Sequence, residues 1–486
     1  MDQDMEKYRA SNYLLLTPEE VRAWEVFGLL WSKKMQKKAY ISVPPSVEER
    51  VLENGLAIAS LIAQKALLHF AEPLKWFGRM IEMSLNLVSF NRNIFMLLLN
   101  VLRCKVNVPD RTSGAFVSFI GHLDSRVKLD ENIKPGNARY NSALAAMASK
   151  LAYENKGFIK KTVEQHWKME FIDMDYDFLN DFQSKRNTQG FMFHDRRANK
   201  IVVAFRGTEP FNAYDWSTDV DISCFENKEM GKVHGGFMKA LGLIKEQGWP
   251  PELPAEEKGK NLAYYSIREE LRRRLKANKE AKFIVTGHSL GGALAILFPA
   301  ILALHEKPWN EEQALLKRLE GVYTFGQPRV GDFKFKKFME DRFKKYGIKY
   351  LRFVYCNDII PRLPMTTEDL VFSLYNHFGA CIYFNSRYNG QILDEEPHKN
   401  YFSKFGVIRR FFNALSELLR SLYLPLLKGQ EYTEGLPLIL MIRFPALLFP
   451  GMADHNPQDY VNATRLGSIT TFDQVEYPNS DSKKTN

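Results

Sequence analysis

The sequence predicts an α/β fold, a mostly parallel sheet with helices on both faces, preceded by an N-terminal helical region. Three observations carry this prediction. Strand-forming runs alternate with helical periodicities across residues 131–470. One such run, Phe283-Ile-Val-Thr-Gly-His-Ser289, passes at once into the small-residue helical stretch Leu290-Gly-Gly-Ala-Leu-Ala295. Residues 1–130 instead hold apolar segments at helical spacing, with isolated basic residues.

In chain order, Gly55 to Phe70 and Trp76 to Leu102 read as helices carrying Lys65, Arg79 and Arg92. Ile81, Leu85, Leu87, Val88, Ile94 and Leu98 roughly follow helical spacing. Such helices either dock on the rest of the protein or sink an apolar face into a lipid surface, with basic residues at the headgroups. Asp130 to Gly136 marks a boundary. Beyond it, Tyr140 to Tyr153 reads as a helix, and Thr188 to His194 and Lys200 to Phe205 as strands joined by a polar turn. Trp249 to Lys260 reads as a surface loop. Tyr264, Ile267, Leu271 and Leu275 mark one face of an amphipathic helix, and Gly321 to Phe325 and Tyr350 to Tyr355 are further strands. An amphipathic insertion spans 403–452. Within it, Ile408, Phe411, Phe412, Leu415, Leu418, Leu419 and Leu422 share one helical face, and Arg409, Arg410, Asn413, Ser416, Glu417 and Arg420 the other. Both a core-packed helix and a lipid-contacting face or lid are open for it. Residues 471–486 read as a polar, disordered tail.

Composition narrows the function. The net charge is 67 − 57 = +10, yet no basic run interleaves with aromatics as a nucleic-acid groove requires. Nucleic acid is therefore not an expected partner, and an anionic membrane is. Cys104, Cys224, Cys356 and Cys381 show no paired or metal-like spacing and read as buried thiols of a reducing compartment. The acidic start, Met-Asp-Gln-Asp-Met-Glu, differs from a secretory signal. The nearest approach to a membrane span, Phe90 to Leu102, is broken by Asn91, Arg92 and Asn93. The expectation is a protein that lies on intracellular membranes, with no metal and no cofactor.

Gly287-His288-Ser289-Leu290-Gly291 has the pattern of a nucleophile elbow. A serine on a sharp strand-to-helix turn needs small residues two positions away on either side, and the turn lifts its hydroxyl clear of the sheet. The hydroxyl needs a base, and the base needs an orienting acid. In α/β-hydrolases these follow in the order Ser, acid, His. Asp358 ends the strand Tyr350 to Tyr355 and is the expected acid, while Asp332 opens a basic helical run and reads as a cap. His377, His398 and His455 all follow Asp358. His455 closes the insertion and is the expected base, with His377 read as structural. His288 packs beside the elbow, and His234 reads as a turn residue. The oxyanion needs donors fixed in advance, and the N–H of Leu290 supplies one. Thr208, after the strand Val202 to Phe205, offers an N–H and a hydroxyl as the second.

Phe205-Arg-Gly-Thr208, Asp215-Trp-Ser-Thr-Asp219, Val233-His-Gly-Gly-Phe237, Gly287 to Gly292, Phe325 to Gly331 and Asn357 to Pro364 occur in the order seen in fungal-type class 3 lipases, which this chain resembles. Asn91-Arg-Asn93, Pro109 to Thr112, Phe119 to Asp124, Tyr383 to Ser386, Glu395 to Tyr401 and Asp459 to Asn462 make it similar to plant oil-body triacylglycerol lipases of the castor-bean acid lipase type. The resemblance implies an acyl-ester hydrolase at an oil–water interface, with Ser289, Asp358 and His455 as triad and Thr208 and Leu290 at the oxyanion hole. It places the lid of fungal relatives around Pro210 to Trp216. A triacylglycerol lipase on the cytosolic face of lipid droplets is the leading expectation. A phospholipase or galactolipase A1, or an acyltransferase, uses the same triad, and a catalytically idle lipid-surface scaffold is the alternative outside enzymes.

Overall fold

The computed structural model describes residues 10–22, 24–32, 40–45, 54–180, 183, 185–243, 261–364, 375–397, 404–428, 438, 440, 443, 444, 447, 450–467 and 472. The expected loop at 249–260, His398, most of 435–452 and nearly all of the tail lie outside these residues.

Among the described residues nine strands form the main sheet: β1 (Glu170–Ile172), β2 (Asp177–Asn180), β3 (Lys185–Asp195), β4 (Lys200–Phe205), β5 (Lys282–His288), β6 (Leu319–Phe325), β7 (Lys349–Tyr355), β8 (Ala380–Phe384) and β9 (Gly390–Leu393). Their order is β9-β8-β7-β6-β5-β4-β3-β1, with β2 also paired to β3. Strands β4 to β8 run parallel, and the edges are antiparallel. The parallel strands read as near-continuous apolar runs because both of their faces are covered. Val203 and Val285 join one core, while Val202 and Ile284 join the other.

The helices that matter to the site are α1 (Gly55–His69), α2 (Ala71–Phe90), α3 (Ile94–Leu102), α4 (Tyr140–Leu151), α5 (Ala213–Val220), α6 (Ala263–Ala277), α7 (Leu290–Leu304), α8 (Phe333–Tyr346), α9 (Lys404–Lys428) and α10 (Pro457–Leu466). α7 covers one face of β5 and β6, and α4, backed by α10, covers the other.

The N-terminal region differs from the expected all-helical segment. Its strand Ala10–Leu16 pairs antiparallel with Cys224–Asn227 in a second sheet, and Leu14 and Leu16 are fully buried. Helix α1 is tied to the end of α5, with Ser60 Oγ donating to Val220 O at 2.6 Å. Between α2 and α3 the chain bends by 84°. Asn91, expected only as a break, organises that bend: its amide donates to Leu87 O and Asn107 O, and its carbonyl accepts from Asn100 Nδ2 and Asn107 N. Cys104, just after α3, is exposed, contrary to the expectation of four buried thiols; Cys224, Cys356 and Cys381 are buried.

Helix α9 forms where the periodicity places it, with its apolar face turned outward. Ile408, Phe412 and Leu419 are exposed, while Arg410, Glu417, Arg420 and Ser421 are buried. The buried charges are satisfied by other elements: Arg420 meets Asp459, and Glu417 accepts from Tyr355.

Candidate active site

Ser289 sits between β5 and α7 with φ 57° and ψ −130°, a conformation that costs a non-glycine residue on the order of 1–3 kcal/mol. The turn is possible because its flanks lack side chains. A Cβ on Gly287 would lie 2.1 Å from Gly291 O, and one on Gly291 would lie 2.3 Å from Phe205 O. Ser289 N donates to Phe325 O at 2.9 Å, which fixes the turn to β6. Leu290 N–H belongs to the first turn of α7, where no intrahelical acceptor exists.

Asp358 lies just beyond β7, and its side chain is fully buried. Its Oδ1 accepts from Ile360 N at 2.9 Å, and its Oδ2 lies 2.8 Å from His455 Nδ1. Tyr460, in the first turn of α10, donates to the same Oδ2 at 2.5 Å. The Nε2 of His455 is buried and has no hydrogen-bond partner among the described residues. The His455 ring lies 4.5 Å from that of His288, the residue before the serine. Gly326, with φ +58°, leaves room for this pair: a Cβ there would be 2.7 Å from Asp358 Oδ2 and 2.9 Å from His455 Cε1.

The turn after β4 lies directly against the elbow. A Cβ on Gly207 would be 2.5 Å from His288 O and 3.1 Å from Ser289 Cβ. Arg206 holds the turn through Asp215 at 2.9 Å and Asn187 O at 2.8 Å. Thr208 Oγ1 lies 2.6 Å from Asp219 Oδ2, on α5. Burial raises the Asp219 carboxyl to about 7, against the lowering effect of the Thr208 bond. A cavity of about 240 Å³ opens beside this turn, lined by Tyr153, Glu209, Phe211, Phe119 and Arg111 among others. A serine on a strained strand-to-helix turn, with a paired imidazole and carboxylate packed beside the residue before it, supplies the groups that acyl transfer requires.

The class 3 lipase family matches residues 202–368, a span that holds the Thr208 turn, the elbow and Asp358. The triacylglycerol lipase OBL1 of Nicotiana tabacum is 40% identical, covering 84% of this chain and 82% of its own. The Arabidopsis thaliana protein of the same name is 38% identical over 94% and 95%. This chain belongs to the class 3 lipase family. Among solved structures, lipase II of Rhizopus niveus is similar at 22% identity, with a TM-score of 0.38 over 56% of this lipase and 91% of that chain.

Other expected positions fall in the lipase as follows. Asp332 caps α8, accepting from Phe335 N at 2.9 Å. His377 contacts Pro361 O at 2.6 Å, and burial helps push it down to about 3. His234 stacks on Phe237 at 4.0 Å. His288 contacts Tyr153 Oη at 2.8 Å, and burial, with His455 nearby, keeps it far below the usual histidine range. Pro210 to Trp216 lies under α2, where Phe211 packs so closely on Gly78 that a Cβ there would be 2.4 Å away. The sequence patterns assign no role to Asp219, Tyr460 or Tyr153. Asp219 and Tyr460 do stand inside the family motifs, which is the signal that could have found them.

Proposed function

We propose that this lipase hydrolyses triacylglycerol at the surface of lipid droplets, through Ser289, His455 and Asp358. His455 Nε2 takes the proton of Ser289 as the serine attacks the ester carbonyl, and Asp358 holds the resulting imidazolium. Leu290 N–H and the Thr208 turn stabilise the oxyanion, the alcohol leaves, and water returns the serine by releasing the fatty acid. The observation that carries this reading is the His455 Nδ1 to Asp358 Oδ2 contact of 2.8 Å, beside the elbow. Similarity to triacylglycerol lipases over most of the chain supports the substrate class.

Residues 131–470 are assigned to catalysis and 1–130 to lipid association. Trp76, Phe77, Phe95, Leu98 and Leu102 are exposed on α2 and α3, and α3 buries none of its residues. Among the described residues no single helix is long and apolar enough to cross a membrane, and the apolar pair α2 and α3 is bent by 84°.

The test compares wild type with Ser289→Ala on emulsified triolein, phosphatidylcholine and galactolipid. Release from triolein by wild type alone supports the proposal. Preference for phosphatidylcholine would favour the phospholipase reading, for which a phospholipase A1 of Arabidopsis thaliana, 30% identical over 34% of this chain, is the observation. Equal release by both proteins on every substrate would refute the assigned nucleophile.

A further inference from the structure

A cavity of about 320 Å³ has walls that include no residue of the triad or of the Thr208 turn. Its volume falls within the range of small-molecule sites, about 300–1,000 Å³. Met147 and Leu151 of α4, with Val127, Phe158 and Trp167, make most of its lining apolar.

The backbone of one wall is unusual. Thr162–His166 forms a turn of π-helix, and Lys168 follows it with φ 56°. Such turns concentrate at functional sites, and a lysine in the left-handed region carries strain that a plain packed wall does not need. The Trp167 indole donates to Val127 O at 2.7 Å, which closes the turn against the segment after Asp124.

Charge is divided between the interior and the rim. The two acids that reach the cavity are held by neighbours. Asp124 meets Arg126 at 2.7 Å and Lys150 at 3.3 Å, and Glu154 accepts from Ser118 N and Oγ at 2.8 and 2.9 Å. Lys161 and His166 are exposed on the wall. Desolvation, then repulsion from Lys161, Lys128 and Lys168, holds His166 below the usual histidine range, so three lysines gather around it. None of these four groups pairs with an acid among the described residues.

An apolar interior under an unpaired basic rim matches one acyl chain that ends in a carboxylate. We propose that this cavity is a fatty-acid site separate from Ser289, with the chain along Met147, Leu151 and Trp167 and the carboxylate at Lys161 and His166. The proposal rests on the lipase reading for the source of the acid, which is the product that Ser289 releases.

The test uses full-length protein carrying Ser289→Ala and a palmitate with a diazirine on its chain, kept below its micelle concentration. After illumination, mass spectrometry should find label on Val127, Met147, Leu151 or Trp167. Label confined to other segments overturns the proposal. Lys128→Glu and Lys161→Glu together should weaken the labelling roughly tenfold or more. Val127→Trp, which fills the cavity, should abolish it. Methyl palmitate, which lacks the charge, should compete roughly tenfold less well than palmitate. Decanoate should compete roughly 100-fold less well or worse, since each buried methylene contributes about fourfold. Equal competition by methyl palmitate, or unchanged labelling in the charge-reversed protein, overturns the proposal. The two reversed lysines are exposed, so the same changes in the Ser289 enzyme should leave turnover of a soluble short-chain ester unchanged. Labelling at the cavity without release of fatty acid from triolein by the Ser289 enzyme counts against the lipase reading alone.

Discussion

Replacing Asp219 tests how Thr208, the proposed second oxyanion donor, is held. Thr208 has one hydroxyl hydrogen, and its oxygen lies 2.6 Å from Asp219 Oδ2. The other carboxyl oxygen of Asp219 is buried without a hydrogen-bond partner among the described residues, a costly position for an ionised group. With the carboxylate ionised, the Thr208 hydroxyl donates to Asp219 Oδ2; burial raises the carboxyl to about 7, and below that pH a proton on Oδ2 is expected to reverse the bond, the acid then donating to Thr208 Oγ1. The threonine hydrogen is then free to point at the oxyanion. A whole oxyanion donor is worth about 100- to 1,000-fold in kcat. Asp219→Leu keeps the hydroxyl but removes what orients it, so the expected loss is smaller, about 10- to 100-fold in kcat with KM little changed. Asp219→Asn retains an N–H donor of the same size and should keep most of the activity.

The sign of the pH effect follows from the same bond. As pH rises through about 7, Asp219 loses its proton, the Thr208 hydroxyl turns to the carboxylate, and a negative charge faces the oxyanion. Turnover of a soluble ester should therefore fall on that side in wild type. The fall assigned to Asp219 should vanish in Asp219→Asn. Wild-type kcat in Asp219→Leu, or an unchanged alkaline fall in Asp219→Asn, would refute the reasoning.

Further predictions concern the frame of the site. Tyr460→Phe removes the donor to Asp358 and should lower kcat on a soluble ester by roughly 10- to 100-fold, the worth of a hydrogen bond to a charged group. Gly291→Ala drives a Cβ against the Phe205 carbonyl and should lower the melting temperature or abolish soluble expression; Gly347→Ala, with nothing within 4 Å but φ +65°, should cost only about 1 kcal/mol in a denaturant melt. Burial raises Glu154 to about 7, so the folded state keeps a proton that the unfolded chain releases above about pH 4, and stability falls as pH rises toward 7. Burial alone would also raise Glu396, but His377, Arg352 and Arg329 overcome it and hold it at about 2, so its contribution is lost as pH falls toward 2. Melting temperatures across pH should thus decline on both sides, and Glu154→Gln should flatten the neutral side.

The elbow was legible because its constraint is local: Gly287 and Gly291 are demanded by backbone atoms a few residues away or on the adjoining strand. Asp358 and His455 were legible as candidates from their order and their places at chain turns. Their 2.8 Å contact spans 97 residues and exists because the end of β7 lies beside the start of α10. Asp219 and Tyr460 carry no such backbone constraint, since side-chain bonds to other elements place them. Likewise, no local pattern shows that Ala10–Leu16 pairs with Cys224–Asn227.

By itself the sequence determined periodicity and local sterics: that strands alternate with helices beyond residue 131, where a strained serine fits, and that α9 has two chemically different faces. Only the tertiary structure decided which face of α9 turns inward. Hydrophobicity alone would have buried Ile408 and Phe412, but Tyr355 and Asp459 offer partners that satisfy Glu417 and Arg420 once desolvated, and those partners come from elements far away in the chain.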